Sequence, residues 1–580
     1  MLKYRKTAEA ETLKDHLLYL RNYFELPFGA HVYCWENLGI GARFTHFYPA
    51  SYSLPLFKFL NEHGISVKPY NNVQLWATLD GPYEKTDWMF SSHGKKYAIK
   101  NFNGSLNYER YRTLDEKSTM PWAVMCPACP EWQKKQIANA DRFVSYGAKA
   151  IYYDEMLAAG PYCCFDESHG HKMNDPAMWL QDGYLPMMRS ILKKVPSYVG
   201  HDTEGFEEPL VGLQDGFLCW GPPSTTPLSK TVFGPRMELI GRLFSYVWQF
   251  NEQTEQRFYS IIGRQFACAE QLGWFETREI VDYPEMLLYT KQLMHLKNGL
   301  RKYFREGELM RPLKWEKAPG KYTYLHESGK YITVDRVFSG AYMCRDGLGI
   351  VLLVNPMLQT EKIQPLVQYP GKVFTLCEMN AEKPRILPND GNCSPELSFR
   401  PLEVKILLIG SENNEKFQAE ANRVQQLLNK VARFRKPDQA VEYFGKLGRL
   451  PSRQVANGQL ITAGFLQNIT GALSAKDNSF ISWIRWNYAL LNYGMLDFGD
   501  KSYSRVEITY SVGEGETGGL LELRFGEAGI PYAVVPLENT DGKKTTVTVP
   551  LRYDVTGRRR VSIRFPKAKS CTFYGWRLLP

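Results

Sequence analysis

From residue 28 to residue 276, short apolar runs of strand length alternate with amphipathic stretches of helix length, the pattern of parallel β/α units. The strand candidates are FGAHVYCW at 28–35, VKPYNNVQLW at 67–76, PWAVMC at 121–126, AKAIYYD at 148–154, SYVGHDTE at 197–204, DGFLCW at 215–220, FSYVWQ at 244–249 and FACAEQLGW at 266–274. Before the second, fourth and fifth stand SLPLFKFLNEH, EWQKKQIANADRFVSYG and AMWLQDGYLPMMRSILKKV, whose apolar residues recur every three or four positions and predict helices. A further helical pattern, DYPEMLLYTKQLMHLKNGLRKYF at 282–304, ends the series. Eight strands with helices between them predict an α/β fold, a (β/α)8 TIM barrel over residues 1–308.

Past residue 308 the period changes from helical to strand-like. GKYITVDRVF, GLGIVLLVNP and PLEVKILLIG, divided by Gly, Pro and Asn turns, predict an antiparallel β-sandwich over 309–411. The charge-rich ENNEKFQAEANRVQQLLNKVARF predicts a helical linker within 412–454. Alternation returns in SRVEITYSV, GLLELRFG, KKTTVTVPL and RVSIRF, which predicts a second antiparallel sandwich over 455–580.

Composition narrows the class. A chain of 580 residues is too long for a single core, 44% of it is hydrophobic, and no apolar run approaches the roughly 18 residues of a membrane helix. A soluble multidomain enzyme without a membrane partner is the expectation. The formal charge of +10 is scattered, and its densest runs, Arg558-Arg559-Arg560 and Lys430 to Lys436, are short, which argues against nucleic acid as a partner. The eleven cysteines are odd in number, and Cys34, Cys219, Cys268 and Cys377 lie in apolar stretches, as buried thiols of a reducing compartment do. The opening MLKYRKTAEAETLKDHL has no apolar signal region, so the chain as it stands reads as cytoplasmic, or as secreted or periplasmic if its N-terminus is shortened.

In a parallel barrel the site forms at the carboxyl ends of the strands. Asp154 ends Ala-Ile-Tyr-Tyr-Asp and Glu204 ends His-Asp-Thr-Glu on the next strand, so the two carboxyls are expected at a common opening. The bland alternative is a carboxylate that caps a loop or pairs with a nearby Arg or Lys. As a catalytic pair, Asp154 is the nucleophile and Glu204 the acid/base of a retaining glycosidase, whose two carboxyls stand about 5 to 5.5 Å apart. Glu207, Glu208 and Asp215 compete for the acid role, although the first two sit where a helix dipole favours acids and Asp215 begins its strand.

Around that pair, Trp35, Trp220, Trp248 and Trp274 fall near strand ends, where aromatic faces stack on pyranose rings. Glu36 and His201 are further polar candidates for sugar hydroxyls. The loop GPYCCFDESHGHK gathers Cys163, Cys164, Asp166, His169 and His171, and Cys126-Pro-Ala-Cys129 ends another strand candidate. Such Cys and His residues can bind zinc, yet the usual second Cys-x-x-Cys is missing, so His169 and His171 are assigned to substrate, with no metal and no cofactor. There is no P-loop, no G-x-S-x-G elbow and no dinucleotide-binding glycine fingerprint.

The segment MCPACPEWQKKQIANADRFVSYGAKAIYYDEMLAAGPYCCFDESHGHK, with HDTEGFEE and LFSYVWQ after it, resembles bacterial barrel proteins catalogued as domain of unknown function 6259. The resemblance covers about residues 28–305 and implies a glycoside-hydrolase-like barrel. An Asp after strand four and a Glu after strand five is also similar to α-amylase-like and endo-α-N-acetylgalactosaminidase families, which implies an α-linkage. YGMLDFGDKSYSRVEITYSV, GGLLELRFGEAGIPYAVVPL and TFYGWRLLP resemble a family 6 or 35 carbohydrate-binding module. Together these lead to a retaining glycosidase acting on an oligosaccharide or glycoconjugate. The alternatives are a non-catalytic carbohydrate-binding protein on a barrel scaffold and a metal-dependent hydrolase.

Overall fold

The apolar runs that end in Asp154 and Glu204 become neighbouring strands of one parallel sheet. The computed structural model describes residues 2–3, 7–33, 35, 49–78, 89–112, 119–219, 228–241, 252–275, 277–281, 283–325, 331–369, 372–387, 392–411, 415–437, 453–466, 468–470, 472–475, 477, 479–482, 489–516, 518–525, 531–565 and 571–580. Its first ten strands are β1 (Leu2–Lys3), β2 (Phe28–Tyr33), β3 (Ile65–Asn72), β4 (Leu75–Ala77), β5 (Tyr108–Arg112), β6 (Thr119–Val124), β7 (Ala150–Asp154), β8 (Gly200–Glu204), β9 (Gly216–Cys219) and β10 (Glu238–Gly241). Seven of them form a parallel sheet in the order β1-β2-β3-β7-β8-β9-β10.

This corrects the closed (β/α)8 barrel: among the described residues the sheet is open, with β1 and β10 at its edges. Two strand assignments fail for identifiable reasons. VKPYNNVQLW is not one strand, because Asn72 Oδ1 accepts from the backbone N–H groups of Gln74 (3.0 Å) and Leu75 (2.8 Å) and turns the chain from β3 into β4. PWAVMC therefore pairs antiparallel with β4 and β5 in a small separate sheet, and β3 pairs directly with β7. FACAEQLGW is not a strand either: the helix Glu252–Ala267 runs into it, and the chain then turns through Ala269, whose φ is 56°. Phe266 to Glu270 are all buried, so their apolar run carries no periodicity that separates helix from strand. FSYVWQ at 244–249 lies outside the described residues.

The helices that support the sheet include α1 (Thr7–Phe24), α2 (Ser53–Glu62), α3 (Pro130–Ser145) and α4 (Leu185–Lys194). Helix α3 has Pro130 in its first turn, and buries Trp132, Gln136, Asn139, Ala140 and Phe143, one stripe at three- and four-residue spacing that includes two polar amides. Trp132 is fully buried, donates its indole N–H to the Val73 carbonyl at 3.1 Å, and packs beside Trp76.

Beyond the helices Pro284–Gly299 and Arg301–Glu306, the chain forms a six-stranded antiparallel sheet from strands between 308 and 410, with a smaller sheet built on Glu361–Gln368. The helix Glu415–Ala432 lies along this region. Cys377 Sγ contacts the Ala421 carbonyl, and Gln425 bonds the backbone of Glu378, so this helix is docked on the sheet. Farther on, two more sheets, of six and five strands, enclose a core that includes Tyr493, Leu523, Ile563 and Trp576. The chain divides into two units: Met1–Ser245, Tyr259–Thr277 and Tyr289–Phe434 in one, and Tyr246–Phe258, Arg278–Leu288 and Arg435–Pro580 in the other. No described helix is long and apolar enough to cross a membrane.

Candidate active site

Parallel pairing of β7 with β8 runs in register through Tyr153 and Thr203, which leaves Asp154 and Glu204 side by side as the last residues of their strands. Each strand buries its three central residues, Tyr153 and Thr203 among them, while the two acids at the strand ends keep part of their surface accessible. Their carboxyl groups share a hydrogen bond. Two carboxylates cannot share one unless a proton lies between them. Burial first, and then the charge of Asp154, push Glu204 from the ordinary 4.5 up to about 9. Burial also raises Asp154, against hydrogen bonds from Tyr70 and Glu204 that oppose the rise, so the pair holds a proton more tightly than a free carboxyl does.

Neighbouring strands hold the pair in place. Tyr70 on β3 donates its hydroxyl to Asp154 Oδ2 at 2.6 Å. Burial, with the charge of Asp154 second, raises the Tyr70 phenol well above its usual value, so it remains a donor. Asn72 stands opposite Asp154 in the register of β3 on β7 and donates its Nδ2 to Glu155 Oε2 at 3.0 Å. Glu155 itself has φ 62°, a strained left-handed conformation for a residue with a side chain, and in it the backbone N–H reaches Glu204 Oε2 at 3.2 Å. A fourth acid, Glu109 on β5, accepts from Tyr162 (2.7 Å) and Gln74 (2.8 Å), and its charge adds to the rise of Asp154. Tyr70, Asn72, Glu109 and Glu155 were not singled out by sequence reasoning. The adjacency of Glu155 to the strand-end Asp154 was the one signal that could have marked it.

The other acids considered for the proton-donor role stand elsewhere. Glu207 and Glu208 are exposed, and Asp215 precedes β9 and accepts the His201 backbone N–H at 2.8 Å, at the opposite end of β8 from Glu204. Among these four and within the described residues, Glu204 is the one in contact with Asp154.

The expected sugar-binding residues separate into several groups. Trp35 is fully buried, donates to the Tyr70 carbonyl at 3.0 Å and packs on Phe57 and Phe143, so its faces belong to the core rather than to a cleft. His201 is also buried, with its Nδ1 3.0 Å from the Tyr153 hydroxyl. Trp274 stacks on His31 at 5.8 Å, and His31 in turn contacts Tyr33 and Tyr152, so these rings form an aromatic wall next to Tyr70. His169 and His171 do not reach the acid pair; both are buried and turned towards Cys164 and Cys126, because backbone carbonyls fix the outer nitrogen of each ring. Glu36, Trp220 and Trp248 lie outside the described residues. A cavity of about 610 Å³ borders His31, Lys68 and Trp274 near the amino-terminal ends of β2 and β10, away from the carboxyl ends that carry the pair.

Residues 2–246 match the model of the family described as domain of unknown function, DUF6259. A Monosiga brevicollis protein named provisionally as a glycoside hydrolase is 22% identical over 288 residues, which is 46% of this chain and 24% of that protein. The chain thus spans about a quarter of the length of the curated relative it matches. Among solved structures, Arthrobacter globiformis T6 isomalto-dextranase complexed with panose is 12% identical, with TM-score 0.43, over 98% of this chain and 93% of that one. A noncanonic maltogenic α-amylase from Thermotoga neapolitana is 10% identical, with TM-score 0.44, over 70% of this chain and 95% of that one. A family 6 carbohydrate-binding module from Clostridium cellulolyticum in complex with xylose is 19% identical, with TM-score 0.19, over 21% of this chain and 98% of that one.

Proposed function

We propose that this chain is a retaining glycoside hydrolase in which Asp154 is the nucleophile and Glu204 the acid/base. The observation that carries the reading is the contact of the Asp154 and Glu204 carboxyls at the carboxyl ends of adjacent parallel strands, where burial and the charge of Asp154 raise Glu204 to about 9. Two carboxyls with opposite protonation are what double displacement needs at its start. As a hydrogen-bonded pair they stand closer than the about 5 to 5.5 Å of a retaining pair and well inside the about 6.5 to 9.5 Å that an inverting pair keeps to admit water, so their spacing lies nearer to retention. The name of the Monosiga relative supports the same class.

In the first step the Asp154 carboxylate attacks the anomeric carbon, the glycosidic C–O bond breaks, and the Glu204 proton goes to the departing oxygen. A glycosyl ester on Asp154 results. Glu204, now a carboxylate, takes a proton from water as that water attacks the anomeric carbon. The ester bond breaks, which restores both groups. Tyr70 and the Glu155 N–H hold the two carboxyls through these changes of charge. The ligand class is carbohydrate, and the α-amylase-like order of Asp and Glu points to an α-linkage.

A panel of aryl α- and β-glycosides tests the reading, with the anomeric configuration of the released sugar followed by NMR. Hydrolysis of an α-glycoside with net retention is expected. Inversion would overturn the assigned mechanism, and no release from any member of a panel that includes natural oligosaccharides would overturn the activity.

A further inference from the structure

Four side chains with transition-metal ligand chemistry converge beside the strand that precedes α3. Cys126 lies two residues beyond the end of β6, and Cys164, His169 and His171 come from the loop after β7. Their ligand atoms all lie within 4.8 Å of one another, and all four residues are buried. Cys126 Sγ is 3.3 Å from His171 Nε2, and Cys164 Sγ is 3.4 Å from His169 Nδ1. Bonds of about 2.3 Å to sulfur and 2.0–2.1 Å to nitrogen in a tetrahedral zinc site imply S···N edges of about 3.5 Å, close to these values.

The far side of each ring also fits. His169 Nε2 lies 2.8 Å from the Lys96 carbonyl, and His171 Nδ1 lies 2.8 Å from the Lys172 carbonyl. A carbonyl can only accept, so each of these nitrogens carries the proton. The unprotonated nitrogens, Nδ1 of His169 and Nε2 of His171, are the ones that face the sulfurs. Metal-bound histidines are oriented in this way by their outer nitrogen.

We propose that Cys126, Cys164, His169 and His171 form a closed, tetrahedral zinc site. On binding, each thiol releases its proton, and the two thiolates balance the charge of Zn²⁺ while the imidazoles stay neutral. Four protein ligands leave no position for water, so the ion is structural. It ties the loop that starts at Glu155 and carries Tyr162 to the end of β6. Cys129 is not among the residues whose ligand atoms converge, and Cys163 is exposed. Cys126-x-x-Cys129 is therefore not the ligand pair: the two cysteines that converge lie far apart in sequence.

Metal content of the purified full chain, prepared without chelator, tests the site. Inductively coupled plasma mass spectrometry should find about one zinc per chain, and Cys164→Ser and His171→Ala should each lower this at least tenfold. Cys129→Ser and Cys163→Ser should retain the metal. Because a ligand variant can misfold, the wild-type protein is also reconstituted with Co²⁺, which should develop the intense visible bands and the thiolate charge-transfer band of a tetrahedral site. Failure of the wild type to retain zinc or cobalt after gel filtration would overturn the proposal. So would a Cys126–Cys164 disulfide in the native protein, or equal metal loss in the Cys129 and Cys163 variants.

Discussion

Tyr70 on β3 donates a 2.6 Å hydrogen bond to Oδ2 of Asp154 on the adjacent β7, so the candidate nucleophile is held by a strand other than its own. This bond favours the ionised form of Asp154 against the burial that disfavours it. Its removal in Tyr70→Phe should move the acidic limb of the kcat/KM profile to higher pH. The alkaline limb should stay in place. An unchanged acidic limb would show that the contact does not tune Asp154.

As the proposed acid/base, Glu204 is expected to govern the other limb. Activity needs it protonated, and its carboxyl is raised to about 9, so kcat/KM should fall as pH rises through about 9. In Glu204→Gln that limb should disappear, with kcat/KM for substrates with poor leaving groups reduced by about 10²- to 10⁴-fold. A wild-type alkaline limb near the ordinary carboxylate range would contradict the assignment.

The same shift predicts a cost in stability. Below pH 4.5 Glu204 is protonated in both the folded and unfolded chain; between 4.5 and about 9 the folded form keeps a proton that the unfolded form has lost. The stability this group contributes is thus present at low pH and is lost as pH rises through that window. Glu204→Gln should match the wild type in Tm near pH 4 and exceed it increasingly towards pH 9. A difference independent of pH would refute the buried, raised carboxyl.

Trp132 tests the packing beneath the site. Its fully buried ring fills the space between α3 and the turn after β3, and its indole satisfies the Val73 carbonyl. Trp132→Ala should cost about 3–5 kcal/mol in urea denaturation. A loss below about 1 kcal/mol would mean that the core does not depend on this contact.

The acid pair was legible because a polar residue that ends an apolar strand stands out at the level of periodicity, and two consecutive units repeat that pattern. The helices around it were legible for the same reason. What periodicity cannot show is a contact between strands: Tyr70 and Asn72 act on Asp154 and Glu155 from more than eighty residues away. Nor does it show the Asn72 turn, which diverts the chain out of β3 and sends PWAVMC into a separate sheet. FACAEQLGW misled because its first five residues, Phe266 to Glu270, are all buried, and such a run looks alike in helix and strand. His169 and His171 misled by their setting in a polar loop, since the cysteine opposite His171 is Cys126, forty-five residues earlier.

The central claim is that Asp154 becomes glycosylated while Glu204 moves the proton. Its most direct test is peptide mass spectrometry of Glu204→Ala after incubation with an activated aryl glycoside that the wild type hydrolyses. Loss of the acid/base slows release of water-labile ester more than its formation when the leaving group needs no proton. The account predicts a glycosyl adduct on the peptide that contains Asp154, absent in Asp154→Asn. An adduct on another carboxylate, or turnover in the Asp154→Asn variant at the wild-type rate, would contradict it.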